Sequence, residues 1–331
     1  MRTPTLVLAL QASLLGALAP AVLRGQAIGE PWTEPGAGGA VPSHECCLEL
    51  LLPVGARGTA LGRALSALPS PEAVFGNPAG IAGLDGGALI IHHGRSVAGQ
   101  IYAVSGLFTL RSVGTLGLSY ELVDLGEIEG TDELGNPTGT IAIQDHLLVA
   151  SFATHLAPGL AGGINYKIYH QQGGSVISAT TQAVDAGIQY RPGWLPWVSL
   201  GAGVTNVGFA LQVKNAEQRD PLPSRIRVGV AYEVLRHVLP DSAFSLWVAM
   251  EVGGRLRDLR AARASVGVEL TARDAVFVRA GYAGGEGLES GAAVGFGLRH
   301  RRYDLAIARS FVRSPIDPDL DPLEISFGMS F

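Results

Sequence analysis

The chain has 331 residues, of which 47% are apolar and only 16% charged, with 45 glycines and a formal net charge of −5. So small an acidic balance, without a basic block, excludes nucleic acid as a partner. The charged fraction is also well below the roughly one quarter usual in soluble domains, and mean hydropathy is positive. Beyond the N-terminus there is no apolar run of the about 20 residues that a helix needs to cross a bilayer. Only helices and closed barrels satisfy every backbone group in lipid, so a β-barrel is the membrane-spanning structure left.

Arg2 provides a short basic start, Leu6 to Leu23 is almost wholly apolar, and Gly25-Gln26-Ala27 sets small residues where a signal peptidase reads. Residues 1–27 are therefore expected to be a secretory signal peptide cut after Ala27, with a retained anchor as the alternative. The two cysteines, Cys46 and Cys47, are adjacent, and a bridge between neighbours needs a strained ring. They lie too far from the signal peptide, behind His44 and Glu45, for a lipoprotein attachment site. The four residues lack the ligand spacing of a closed metal site, and neither metal nor cofactor is expected.

Residues 28–86 do not read as strands. Pro31, Pro35, Gly36, Gly38, Gly39 and Pro42 make a flexible lead-in. Leu61, Leu65 and Leu68 recur at helical spacing and predict a short helix from about Arg57 to Leu68. Ser70, Pro71 and Glu72 read as an N-cap, a first-turn proline and a first-turn acid, opening a second short helix that leads into Val74–Leu84.

After Gly86 the period becomes two. Leu323, Ile325, Phe327, Met329 and Phe331 alternate with Glu324, Ser326, Gly328 and Ser330. The same alternation runs through Arg225–Val234, Phe244–Val252, Thr115–Leu122 and Val184–Arg191. About fourteen such segments follow one another, near 87–92, 99–107, 114–122, 145–155, 160–170, 181–191, 198–206, 224–233, 243–252, 263–270, 275–282, 292–299, 303–311 and 323–331. The fold class is thus all-β: a transmembrane antiparallel barrel of about 14 strands over 87–331, preceded by a partly helical plug over 28–86. Connections alternate short (156–159, 192–197, 271–274, 300–302) and long (123–144, 171–180, 207–223, 253–262, 312–322), as periplasmic turns and outer loops do. A soluble sandwich also alternates. It would not pair so many large apolar residues with glycine, nor place Tyr120, Tyr190, Trp194, Trp197, Tyr232, Tyr282, Tyr303 and Phe311 towards strand ends as an interfacial girdle.

Several stretches, in order, carry a resemblance: "VGARGTALGRALSAL", "PEAVFGNPAGIAGL", "GAGVTNVG" (201–208), "DPLPSRIRVGVAY" (220–232), "VRAGY" (278–282), then "GFGLR", "YDLAIARSF" and "ISFGMSF". The chain resembles the PorV/PorQ group of outer-membrane proteins, a branch of the FadL-like barrels, over nearly all of its mature length. It departs from that group at Leu68-Pro69-Ser70-Pro71-Glu72, where members often have an acidic, alanine-rich turn. The resemblance implies a bacterial outer-membrane location, with outer-membrane lipid and the barrel assembly machinery as partners. It implies either an accessory or shuttle role in type IX-like protein secretion, with secretion proteins or cargo as partners, or FadL-like uptake of a hydrophobic small molecule; a purely structural barrel is the third reading. Phe327, Met329 and Phe331 resemble the C-terminal signal read by the assembly machinery.

A barrel this wide cannot be filled by its own side chains, so the 28–86 segment is its expected occupant. The inward charges Arg225, Arg227, Glu233, Glu251, Glu269, Arg279 and Arg299 offer it a wall, although such charges also line ordinary hydrated lumens. Asn77, Pro78, Ala79 and Gly80 read as a capped turn of the plug, or as a hatch facing a ligand path. Val74–Leu84 is expected within the wall or its mouth, against Arg225 or Arg279. His92 and His93 point to opposite faces of one strand and cannot share an ion. "SPIDPDLDP" (314–322) lacks the glycine and distant glutamate of a calcium loop. No nucleophile elbow, HExxH or phosphate loop is present, and no enzymatic activity is expected.

Overall fold

The computed structural model describes residues 45–331 except 97, 132, 133, 135, 175, 176, 213–218, 239–242, 286–289 and 313–321. The expected signal peptide, the first part of the lead-in and most of "SPIDPDLDP" lie outside the described residues.

Strands β1 (Gly87–Arg95), β2 (Gln100–Leu110), β3 (Gly114–Thr131), β4 (Pro137–Ala157), β5 (Leu160–Gly173), β6 (Ile177–Tyr190) and β7 (Val198–Gly208) are successive antiparallel neighbours. A small hairpin, β8 (Leu211–Gln212) and β9 (Arg219–Asp220), follows. The ring then continues through β10 (Arg225–Glu233), β11 (Phe244–Arg255), β12 (Asp258–Ala272), β13 (Val276–Gly285), β14 (Gly291–His300), β15 (Tyr303–Ser310) and β16 (Leu323–Ser330). β7 pairs with β10 and β16 with β1, so fourteen strands close a barrel with no free edge. Each expected segment coincides with a strand.

The faces are the reverse of a soluble β-protein. In β1, Leu89 and Ile91 are exposed outward while Ile90 and His92 are buried inward. Outward Leu116, Leu118, Val228, Val252, Phe296 and Ile325 are likewise exposed, and Glu121, Asp185, Glu251 and Glu269 are buried inside. An apolar exterior around a polar interior is the cross-section of a lipid-embedded barrel. Tyr190, Trp194, Trp197, Tyr232 and Tyr303 gather at the end with the short turns; Tyr282 and Phe311 lie towards the end with the longer loops.

Three expected loops are mostly strand. β3 and β4, at 18 and 21 residues, pair from Thr115↔Ala153 to Thr131↔Pro137 across a bulge at Asp124/Gly126, so 123–144 is a tall hairpin. Such strands far exceed the about 9–11 residues that cross hydrocarbon. Beyond the lipid both faces meet water (Gly126, Glu127, Ile128 and Glu129 are all exposed), and the alternation that betrays a strand disappears. β5–β6 and β11–β12 extend in the same way into 171–180 and 253–262.

Residues 45–86 run inside the ring as short turns: Leu48–Leu51, Ala56–Ala60, Pro71–Phe75 and Pro78–Ile81. The expected helix from Arg57 to Leu68 is a single turn, Ala56–Ala60. Gly62 and Arg63 adopt left-handed backbone (φ 60 and 73), and the Arg63 N–H donates to Gly58 O at 2.9 Å, closing the helix early. Leu61 and Leu68 are still buried, so the leucine spacing marked packing rather than helix. Ser70 caps Pro71–Phe75, its hydroxyl accepting from the Glu72 N–H at 3.2 Å, but that element is a 3-10 turn that stops at Gly76.

At the seam, Gly87 N–H donates to Phe331 O at 2.6 Å and Phe331 N–H to Gly87 O at 2.9 Å. The Phe331 ring lies over Gly87, and Phe327 stacks on Tyr303 with centroids 6.1 Å apart. Deleting Phe331 removes both closing bonds. We expect a lower fraction of barrel that migrates anomalously on unboiled gels, with export across the inner membrane unchanged; an unchanged folded fraction would show that the seam closes without it.

Candidate functional site

Inward glycines are the seats on which the plug rests. Gly163, Gly187 and Gly203 stand opposite one another on β5, β6 and β7. A Cβ on Gly163 would collide with the main chain of Pro78, and one on Gly187 with Asn77 Oδ1. Farther round, Gly201 faces the Ser66 carbonyl, Gly267 and Gly281 face the main chain at Leu61–Gly62, and Gly295 faces Ala60. Plug and wall therefore touch backbone to backbone on both sides of the lumen.

Polar side chains of the wall then bond plug main chain that the ladders cannot reach. Asn165 donates to Val74 O at 2.8 Å, Gln189 to Ser66 O at 2.9 Å, and Glu251 accepts from Ser66 N at 2.9 Å. Ala56 N donates to Ser326 Oγ at 2.8 Å. Asn77 is the keystone of its turn: Oδ1 accepts from Ala79 N at 3.2 Å, while Nδ2 donates to Ser66 O at 2.8 Å and to Ile188 O of β6 at 3.0 Å. Asn77, Pro78, Ala79 and Gly80 are all buried.

The charges arrange themselves around these contacts. Glu269 bridges Arg57 of the plug, at 2.8 and 2.9 Å, and Arg279 of β13. Burial lowers the pKa of Arg57 and the facing Glu269 carboxylate raises it, the net direction being up. Glu72 accepts from the N–H groups of Gly58 (2.9 Å) and Arg57 (3.3 Å) at the start of the plug's helical turn. Arg225 holds Glu45 through two bonds of 2.9 and 2.7 Å. Arg227 faces Gly76. Glu233 sits at the turn-end rim with Ser245 and Arg236, and Arg299 pairs with Asp304 while sharing the face of Phe277 with Arg279. Val74–Leu84 lies inside the wall, against β4, β5 and β6, with Arg227 the inward charge that faces it at Gly76, while Arg225 and Arg279 serve Glu45 and Glu269. Those strands offer glycine and amide side chains, which fit a backbone turn better than a guanidinium does.

Sequence reading missed Asn165, Lys167, Asp185 and Asn206. Lys167 pairs with Asp185 at 2.7 Å and donates to Asn206 Oδ1 at 2.9 Å; Asp185 accepts from Asn206 N and Asn165, each at 2.8 Å. This group pins a bulge where β6 and β7 slip register, with Asn206 at φ 58. The signal was present, since Lys167 is a charge at an inward position of an otherwise uncharged strand. Cys46 and Cys47 are joined to each other beside Asp220 and Pro221, whose carbonyl accepts from the Cys46 N–H at 3.1 Å.

Two spaces adjoin the plug. A cavity of about 340 Å³ at the turn-end mouth lies between Pro69–Glu72 and a wall that includes Trp247, Phe277, Arg279 and Arg299. On the outside of the wall, a recess of about 590 Å³ is rimmed by Phe152, Leu156, Ile164, Ile188, Val204 and Ile226, and its floor is Gly162, Ala186 and Ala202. That floor alternates along the strands with Gly163, Gly187 and Gly203, so the Asn77-Pro78 turn sits directly behind it. Gly281→Val should unseat the plug at Leu61–Gly62, at a cost of about 1–3 kcal/mol for overpacking. Faster tryptic cleavage at Arg57 and Arg63 in the folded barrel would report it; cleavage as slow as in the parent would mean the seat is not needed.

No protein-family model and no curated protein matches the sequence. Solved structures match the fold. A FadL homologue of Pseudomonas aeruginosa aligns at TM-score 0.51 over 84% of this chain and 96% of its own, with 13% identity. The toluene transporter TbuX of Ralstonia pickettii aligns at 0.54 over 84% and 98%, with 13% identity, and the toluene transporter TodX of Pseudomonas putida at 0.55 over 82% and 95%, with 12% identity. The chain therefore has the fold of the FadL-like barrels.

Proposed function

We propose that this chain is a non-enzymatic outer-membrane transporter for small hydrophobic molecules. The observation that carries the reading is the apolar recess in the lipid-facing wall, backed by the glycine row and by the Asn77-Pro78 turn. An apolar solute is concentrated in lipid rather than in water, and a recess lined by Phe152, Ile164, Ile188 and Val204 gives it a dry place beside the barrel. The wall at that point is only backbone and small side chains, and the plug behind it is held by a few hydrogen bonds. Structural neighbours described as toluene transporters support the same solute class. In this reading the exported, processed chain sits in the bacterial outer membrane, placed there by the assembly machinery.

A second reading, an accessory of protein export as the PorV/PorQ resemblance implies, draws on the tall β3–β4 hairpin. It stands clear of the lipid with Leu134 87% exposed near its tip, a place for a secretion protein or cargo to bind.

Uptake separates the two. Gram-negative cells carrying the full chain should take up a labelled monoaromatic hydrocarbon several-fold faster than cells with empty vector. Ala186→Trp, which fills the recess from outside, should abolish the gain while leaving heat-modifiable migration intact. Uptake equal to the vector control would contradict transport and favour the export reading.

A further inference from the structure

The loop-end half of the lumen holds charges that plug seating does not explain. Glu49, on the turn Leu48–Leu51, is coupled to Glu121 of β3 and Asp145 of β4, and the Tyr169 hydroxyl of β5 faces both Glu49 and Asp145. Glu121, Asp145 and Tyr169 are 4%, 2% and 3% exposed, under an apolar cover that includes Cys47, Leu50, Leu211 and Leu222. The Tyr169 hydroxyl faces both acids but has one proton, so it can donate to only one of them at a time, and Gln171 is the other polar side chain that reaches Asp145. The amine on this side, Lys167, is committed to Asp185 of β6 and to Asn206. Three carboxyl groups thus share one dry space with a single nearby cation, Lys167, which faces Glu121 but is already paired with Asp185, so like charges cannot all persist. No group of three His, Cys, Asp or Glu among the described residues is arranged to hold a metal.

We propose that Glu49, Glu121 and Asp145 form a proton-binding site shared between plug and wall, and that the loop-side part of the plug stays docked only while this site is protonated. Glu49 belongs to the plug and the other two to the barrel, so ionisation pushes the two apart. Burial raises the Glu49 carboxyl above its ordinary value and the nearby Asp145 adds to the rise, against smaller opposing effects of its own backbone N–H and the Tyr169 hydroxyl. A group whose value is higher docked than undocked favours docking fully at pH below the ordinary carboxylate range. It loses that contribution as pH rises through the raised value. The site therefore closes the lumen in acid and loosens it in alkali, whatever solute the barrel carries.

The test is ion conductance of the full chain in planar bilayers between about pH 5.5 and about pH 9. Open events should rise up to about tenfold for each pH unit above the raised value, because one unit is a tenfold change in ionisation. Glu49→Gln and Glu121→Gln, neutral at every pH, should hold the quiet state into alkali; heat-modifiable migration shows that each barrel has folded, and the plug variant leaves the wall untouched. A conductance flat with pH in the parent overturns the proposal, as does a parent-like response in both variants. A quiet state lost on adding chelator at constant acidic pH would assign the site to a metal ion and overturn it equally. These outcomes are independent of hydrocarbon uptake.

Discussion

A ring of fourteen strands encloses more space than its own side chains can fill, and here main chain laid directly on main chain takes up the difference. That packing is possible only where the wall lacks Cβ atoms. Gly163, Gly187, Gly201, Gly267, Gly281 and Gly295 provide such places on six strands, and each meets a specific plug atom group from Ala60 to Pro78. A glycine weakens a strand that has nothing to pack against it; in this barrel the plug supplies the packing, so wall and occupant stabilise each other. The plug's broken, turn-rich form follows from the same constraint. A helix carries its own sheath of side chains and would not reach the wall backbone, whereas successive short turns present main chain to it.

Backbone contact leaves polar groups to satisfy, and the wall does so with side chains aimed inward. Asn165, Gln189, Glu251 and Ser326 bond plug main chain, while Glu269 ties Arg57 to Arg279. Removing one partner of a buried pair costs about 3–5 kcal/mol because the other charge is left unpaired. The Arg57–Glu269–Arg279 group therefore resists loss of the plug, while Lys167–Asp185, wholly within the wall, fixes the β6–β7 bulge and holds Asn165, the donor to Val74 O. Between them, the acidic set at Glu49, Glu121 and Asp145 gathers three buried carboxyl groups near one cation, Lys167, that Asp185 already holds. The wall is thinnest in side chains where the outer recess and the Asn77 turn lie back to back, which ties the proposed solute path to the same glycines.

The strands were legible because lipid on one side and a packed lumen on the other enforce a period of two; the clean alternation of Leu323–Phe331 needs no tertiary information. Strand length was not, since above the lipid the β3–β4 hairpin is wet on both faces and loses its period. The turn chemistry of Ser70-Pro71 and Asn77-Pro78 is local and could be read. The end of the helix at Ala60 is set by Gly62 lying against Tyr282, a contact more than two hundred residues away. Which inward charge meets which plug atom was equally hidden, because it depends on the angle at which the plug enters. The composition nevertheless carried the main clue: glycine paired with large apolar residues meant an interior approached by backbone.

The central claim is that residues 57–86 close the lumen by sitting on the wall glycines. It is tested most directly by single-channel conductance of a chain lacking those residues, refolded and shown by heat-modifiable migration to form the barrel. The account predicts large, stable openings in the deleted chain and small or absent ones in the intact chain under identical salt. Equal conductance in the two would contradict it and place the closure elsewhere.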